Sequence, residues 1–160
     1  MHSSSIFEAA RSGNVKEVEE LYGADPAVFE TADMKGFTPL ILAAYNGHAE
    51  VVAYMLQKGA DPDAQDVAGN TALMGVSFKG YHDIAEQLLE AGANVNVRNG
   101  NGATALTFAA TFGHLTIAEL LMKKGVDISL TDARGKTAFD HARIQENEEM
   151  MELIRRHAAS

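Results

Sequence analysis

The stretch GFTPLILAAYNGHAEVVAYMLQKGADPDAQD, residues 36–66, decides the fold because its pattern returns at a fixed interval. The glycine that opens it is followed by others at a spacing of 33 residues, so that four related phrases begin at Gly36, Gly69, Gly102 and Gly135. The later phrases read GNTALMGVSFKG, GATALTFAATFG and GKTAFDHARIQE. Repetition at this length indicates supersecondary units that cannot bury an apolar face alone and therefore stack on their neighbours.

Each unit carries the start and stop signals of two helices. A threonine stands two residues after each opening glycine and predicts a helix N-cap, and Pro39 occupies the first helical position, where its missing N–H costs least. A second glycine set (Gly47, Gly80, Gly113) ends this first helix, and a third set (Gly59, Gly92, Gly125) ends a second one. Apolar pairs at helical spacing lie between them, as in Val51, Val52, Met55 and Leu56. Each unit is therefore predicted to be helix, turn, helix and hairpin loop, and the fold an all-α repeat solenoid.

These phrases resemble the ankyrin repeat, whose signature is T-P-L-H-x-A within a 33-residue period. The resemblance covers nearly the whole chain. The signature histidine is replaced in the four units, by Ile41, Met74, Thr107 and Asp140. This departure predicts hydrogen bonding at the hairpins and turns that is less regular than in the family.

The spacing divides the chain into one domain of five units. Residues 1–35 form an N-terminal cap, residues 36–68, 69–101 and 102–134 form internal repeats, and residues 135–160 form a C-terminal cap. The C-terminal unit has Glu146 where the others have their middle glycine. Terminal units need a polar outer face because nothing stacks on them. The leader MHSSS is predicted to be disordered.

Composition narrows the classes of function. The net charge of −9 disfavours nonspecific nucleic-acid binding, which requires clustered lysine and arginine. The chain has no cysteine, so disulfides and thiolate metal sites are excluded. It also lacks an apolar N-terminal run, so we expect a cytoplasmic protein that does not enter a membrane. We further expect a monomer when no partner is bound.

Several apparent chemical motifs are better explained by the repeat. Gly100, Gly102 and Ala105 match a G-x-G-x-x-A dinucleotide fingerprint, but Gly102 belongs to the repeat and no βαβ context surrounds it. The histidines His48, His82 and His114 recur with the repeat, and equivalent positions one repeat apart are too distant to share a zinc ion. We therefore assign no catalytic residue, no cofactor and no metal.

The resemblance implies that partners meet the hairpin tips and the first helices, which line a concave surface. Basic residues map there, whereas most glutamates map to the second helices. Tyr45, Phe78 and Phe112 fall at equivalent or adjacent places and predict an aromatic stripe with rings about 8 to 10 Å apart, the helix packing distance. The alternative is that these rings fill gaps between the first helices. The predicted partner-binding residues are Met34, Lys35, Phe37, Tyr45, Asn46, Phe78, Lys79, Phe112, Arg134 and Lys136.

The leading hypothesis is thus a protein-protein interaction module, and no enzyme. An alternative is a regulatory or inhibitory subunit of an enzyme, which would use the same surface. A further alternative is an enzyme or small-ligand binder with its site at Asp140 and His141, the least regular polar pair on a first helix. That alternative requires a pocket with convergent polar groups.

Overall fold

The computed structural model describes residues 5–159, which form ten α-helices, one 3-10 helix and no β-strand. The helices are α1 (Ile6–Ser12), α2 (Val15–Ala24), α3 (Pro39–Tyr45), α4 (Ala49–Gln57), α5 (Ala72–Lys79), α6 (His82–Glu90), α7 (Ala105–Phe112), α8 (Leu115–Lys123), α9 (Ala138–Ile144) and α10 (Glu148–Ala159), with the 3-10 helix at Pro26–Glu30. Most of the leader MHSSS, predicted to be disordered, lies outside the described residues. Its last residue, Ser5, is ordered, because its side chain accepts a hydrogen bond from the Glu8 amide and caps α1.

The helices pack in two layers. The first helices of the units (α1, α3, α5, α7, α9) each contact the next first helix, and the second helices (α2, α4, α6, α8, α10) do the same. Buried leucines, valines, methionines and alanines between the layers form one continuous apolar seam. The predicted all-α repeat solenoid is confirmed.

Threonine caps begin the first helices, as the sequence predicts. The Thr38 hydroxyl accepts a hydrogen bond of 3.1 Å from the Ile41 amide, and the same bond recurs at α5, α7 and α9. Such a cap satisfies one of the amides that a helix start leaves unpaired. In two units the residue that replaces the signature histidine also takes part in capping. The side chains of Thr107 and Asp140 accept hydrogen bonds from the backbone N–H of the capping threonine of the same helix.

The hairpin tips, residues 33–37, 66–70, 99–103 and 132–136, are built alike. The first side chain of each tip accepts hydrogen bonds from two backbone amides, as Asp33 does from Lys35 and Phe37 at 2.9 Å each. The same pair of bonds is made by Asp66, Asn99 and Asp132.

Backbone hydrogen bonds also join each tip to the next. One amide of each later tip donates to a carbonyl of the preceding tip: Val67 to Lys35 at 3.0 Å, Gly100 to Ala68 at 2.9 Å and Ala133 to Asn101 at 2.8 Å. The expectation of irregular hydrogen bonding at the hairpins is therefore wrong. The reason is that the network uses backbone groups and the first side chain of each tip, which do not depend on the signature histidine.

Two of the recurring histidines join neighbouring units. A ring nitrogen of His48 (Nε2) lies 2.8 Å from the Arg11 carbonyl, and that of His114 lies 3.0 Å from the Phe78 carbonyl. Tyr81 occupies the corresponding N-cap of α6, and His82 follows it at the exposed start of that helix. The histidines at α4 and α8 therefore serve the stacking of the repeats.

Glu146 keeps the backbone conformation of the glycine that it replaces. Its φ of 56° is the only positive φ of a residue other than glycine within residues 5–159. The left-handed region costs a side-chain-bearing residue roughly 1–2 kcal/mol. We expect Glu146→Gly to raise the free energy of unfolding by about 1 kcal/mol in urea denaturation. Glu148→Gly, in the first turn of the adjoining helix α10, is the control and should lower it.

Candidate functional site

The last turns of three successive first helices carry exposed aromatic rings. Tyr45 ends α3, Phe78 lies one residue before the end of α5, and Phe112 ends α7. Because these helices pack side by side, their last turns line up along one face of the solenoid. The side chains remain 41%, 37% and 49% exposed, respectively. We call these three residues the aromatic row.

The rings of the aromatic row touch one another. Tyr45 and Phe78 have ring centroids 6.3 Å apart in nearly parallel planes, and Phe78 and Phe112 meet edge to face at 4.7 Å. Both separations are shorter than the predicted 8 to 10 Å, because that value is a distance between packed helix axes and not between ring centroids. The sequence left open whether these rings form an exposed stripe or fill gaps between the first helices. Both descriptions apply in part, since the rings contact one another and each keeps one side open to solvent.

A positive charge lies on the aromatic row. The ammonium nitrogen of Lys79 is 4.9 Å from the centre of the Tyr45 ring and 5.9 Å from that of Tyr81. Contacts of this kind contribute about 0.5–1 kcal/mol at exposed positions. Asn46, also predicted for this face, is exposed at the end of α3, and its side-chain amide donates to the Leu42 carbonyl at 2.8 Å.

A cavity of about 410 Å³ opens beside the row, between α3 and α5. Tyr45 and Phe78 form part of its wall, together with residues of the two helices and of the tips 33–37 and 66–70. The remaining lining residues are Phe37, Ile41, Leu42, Asp66, Asn70, Thr71, Met74, Gly75 and Phe108. Phe37, predicted as an exposed contact residue, is half-buried and serves as a wall of this cavity.

One position of the repeat that lacks a side chain enlarges the cavity. Leu42 in α3, Gly75 in α5 and Phe108 in α7 occupy the same place in their units, six residues after the opening glycine. All three line the cavity, and only the middle one is a glycine. Glycine inside a helix is destabilising by roughly 0.5–1 kcal/mol relative to alanine.

The other predicted partner-binding residues lie at the tips. Met34 is fully exposed, and Lys35 beside it is exposed on the same tip. Arg134 and Lys136 are exposed on the last tip, 132–136, three tips further along the solenoid. The structure therefore brings Tyr45, Phe78, Lys79, Phe112 and Phe37 together in one place, and Arg134 and Lys136 form a separate basic end.

Asp140 and His141 do not act as a pair. The Asp140 carboxylate accepts from the Thr137 amide at 2.9 Å and from Arg143 at 3.2 Å, which fixes it at the start of α9. The ring of His141 instead lies 2.6 Å from the carboxylate of Asp132 on the last tip. Neither residue lines the cavity between α3 and α5.

The contact of Asp132 with His141 joins the last tip to α9. Burial by itself raises the pKa of Asp132, but hydrogen bonds from the Lys136 amide, the His141 ring and the Arg134 amide outweigh it and hold that pKa below its usual value. A carboxyl group whose pKa is lower in the folded than in the unfolded state stabilises the fold above its unfolded pKa of about 3.9, and the stabilisation is lost as the pH falls through the folded pKa.

Cofactor and metal motifs have structural explanations. The Gly100 amide donates to the Ala68 carbonyl, and Gly102 closes the same tip by donating to the Asn99 carbonyl, so the apparent dinucleotide fingerprint is a hairpin. Within residues 5–159 no three histidine or acidic side chains converge as a metal site would require. In that same range none of the helices is both long and apolar enough to cross a membrane.

Two features of this face were not predicted. Ile144 in α9 occupies the repeat position of Tyr45 and Phe78 and is 57% exposed, so it adds a further apolar side chain at that position. The cavity was also missed. The available signal was the series Leu42, Gly75 and Phe108, in which the middle unit alone has no side chain.

Comparison with known proteins agrees with this architecture. A family model described as ankyrin repeats (3 copies) matches residues 6–99, and a second, ankyrin repeats (many copies), matches residues 88–142. Ankyrin repeat and SAM domain-containing protein 6 is similar over 61 residues, 43% identical in Mus musculus and 40% in Danio rerio. These matches cover 38% of this chain and only 7% and 8% of those relatives.

Protein phosphatase 1 regulatory subunit 27 of Homo sapiens is 38% identical over 63 residues, which are 38% of this chain and 39% of that protein. The chain belongs to the ankyrin repeat family.

Proposed function

We propose that this chain binds a segment of another protein through its concave face and hairpin tips. Ankyrin repeats are protein-protein interaction modules. The observation that carries the proposal here is the aromatic row, in which three contacting rings are each more than a third exposed on one face. Aromatic side chains are enriched among the residues that dominate binding energy.

The charges favour the same face. Tyr45 has Lys79 over its ring, and the tips add Lys35, Arg134 and Lys136. Of the five acidic residues on the tips and first helices, four (Asp33, Asp66, Asp132 and Asp140) accept hydrogen bonds from backbone amides, and the fifth, Glu8, lies at the N-terminal end of the solenoid in α1. The exposed glutamates lie mainly on the second helices. The face that carries the aromatic row is thus less acidic than the layer of second helices.

A regulatory or inhibitory subunit of an enzyme is the second candidate. It is favoured by the similarity to protein phosphatase 1 regulatory subunit 27, whose name describes such a role for that protein. Such a subunit uses the same surface but buries a larger area. In either case the chain acts without catalysis of its own, in the cytoplasm, as a single domain of five units over residues 1–160, and as a monomer when free.

Removing two rings of the aromatic row tests the proposal. The double variant Tyr45→Ala/Phe78→Ala is expected to lower the affinity for the natural partner at least tenfold, because truncating central aromatic side chains removes the largest contributions to binding. Affinity purification from the native cell identifies the partner, and calorimetry with the purified partner measures the loss.

The control changes the opposite layer. Glu86→Ala/Glu119→Ala removes two exposed charges from the second helices and should leave the affinity unchanged within about twofold. Both double variants should unfold within a few degrees of the wild type. If the aromatic variant instead binds normally, or loses its partner only because it no longer folds, the rings are core residues and the proposal is wrong.

A further inference from the structure

The backbone conformation at position 75 does not require a glycine. Gly75 lies in the middle of α5 and is absent from the glycines that adopt a positive φ. A Cβ built on it would meet only the side chain of Tyr45, with the nearest atom, Cδ1, at 3.2 Å. Tyr45 is 41% exposed, and its ring would have to shift by a few tenths of an ångström to relieve this contact. A helix that keeps a glycine without a conformational need breaks a local rule, and such departures are expected at functional sites.

The missing side chain of Gly75 leaves an apolar recess between Leu42 and Phe108, the residues at the same position in the neighbouring units. Leu42 and Phe108 fill the corresponding position in the units on either side, and the buried Ile41 and Met74 close the bottom of the cavity. Pockets that take ligand groups have volumes of about 300–1,000 Å³, and this one, at about 410 Å³, lies at the small end. Its opening lies beside Tyr45 and Phe78, so that a group entering it would also contact the aromatic row.

We propose that the recess at Gly75 receives one large apolar side chain, leucine or an aromatic residue, from a protein segment of net negative charge. This inference rests on the proposed function and specifies which chemistry the partner presents. A partner side chain inserted between Leu42 and Phe108 takes the place of the apolar side chain that Gly75 lacks. The recess therefore acts as the anchor pocket of the face.

The charge of the partner follows from the lysines around the opening. Lys79 lies over the Tyr45 ring at the rim, and Lys35 lies on the tip that also supplies Phe37 to the cavity wall. Neither lysine is paired with a carboxylate within residues 5–159. The nearby Asp66 accepts hydrogen bonds from two backbone amides of its own tip and forms an ion pair with neither lysine. Unpaired lysines beside an apolar recess complement acidic residues that flank an apolar anchor.

Selection from a random library of 12-residue peptides displayed on phage, with the full chain as the target, tests this inference without knowledge of the natural partner. The selected peptides are expected to share one leucine or aromatic residue and a net negative charge. Their dissociation constants are measured by fluorescence anisotropy against the wild type, Gly75→Ala, Gly75→Leu and Tyr45→Ala/Phe78→Ala.

Filling the recess should weaken peptide binding more, the larger the side chain that is added at position 75. Gly75→Leu, which reproduces the residue of the preceding unit, should weaken binding of the selected peptides at least tenfold, and Gly75→Ala should weaken it only a few-fold. Gly75→Ala should unfold at the wild-type temperature or above it, because the glycine is removed from a helix, and Gly75→Leu should unfold within a few degrees of it, because the larger side chain must also displace the Tyr45 ring. Ala53→Leu, at an exposed position of α4, is the matched control and should leave the affinity unchanged. Raising the salt concentration should weaken binding to the wild type.

Each other outcome overturns the inference. Peptides that bind Gly75→Leu normally but fail on Tyr45→Ala/Phe78→Ala would retain the proposed function and reject the anchor pocket. Selected peptides that are basic or lack a large apolar residue would reject the stated chemistry. A dimer of this chain in sedimentation velocity that Gly75→Leu abolishes would make a second copy the occupant. If no peptide is retained, or binding is indifferent to every variant, both the inference and the proposed function fail.

Discussion

Replacing Leu106 with alanine is expected to lower the free energy of unfolding by about 2–5 kcal/mol, as truncation of fully buried leucines does. Leu106 lies in α7, is 1% exposed, and belongs to the seam between the layers. Because α7 packs against both α5 and α9, the cavity left by truncation weakens two interfaces between units. Equilibrium denaturation in urea, followed by circular dichroism, measures the loss.

Val67→Ala provides the control for Leu106→Ala. Val67 is also a large apolar residue, but it lies on a tip and is 78% exposed, so its truncation should change stability by less than about 0.5 kcal/mol. In a repeat array the free energy of unfolding is approximately the sum of contributions from each unit and from each interface between neighbouring units. A severe loss of stability at α7 can therefore also split the unfolding transition into two. A loss below about 1 kcal/mol at Leu106 with a single unchanged transition would remove it from the seam.

Much of the fold was predictable because it is encoded locally and repeated. The threonine caps, the stops at the glycines and the turn-forming aspartates depend on residues within five positions of each other, and the spacing of 33 residues repeats each of these signals three or four times. The hydrogen bonds between successive tips were not predictable, because they join backbone groups that carry no side-chain signal. This is why the loss of the signature histidine wrongly predicted an irregular network.

The candidate site was predictable in its placement and not in its contacts. Register alone put Tyr45, Phe78 and Phe112 on the same face, whereas the distances between the rings depend on how far each side chain leans. The pairing of His141 with Asp132 depends on how the last tip folds over α9, which no helical period describes. The recess at Gly75 was not predictable from chemically distinctive side chains, because this feature is the absence of one.

Replacing Gly69 with alanine is expected to cost about 2–5 kcal/mol, through two separate effects. Its φ of +84° lies in the left-handed region, which costs alanine about 1–2 kcal/mol. An added Cβ would also lie 2.8 Å from the Gly100 amide nitrogen, a backbone atom of the next tip that cannot move aside as a side chain can. Overpacking of this kind costs typically about 1–3 kcal/mol, and here it separates tips that are joined by the hydrogen bond from Gly100 to Ala68.

The last tip offers the matched control, since Gly135 has the same place in its unit and a φ of +75°, but no atom within 4 Å of the added Cβ. Gly135→Ala should therefore show the conformational cost alone, about 1–2 kcal/mol. The difference between the two variants, measured by urea denaturation, then reports the contact between tips. Equal losses would mean that the tips do not press on one another in solution. A larger loss at Gly69 would instead make stacking of the tips a second source of cohesion, alongside the apolar seam between the helices.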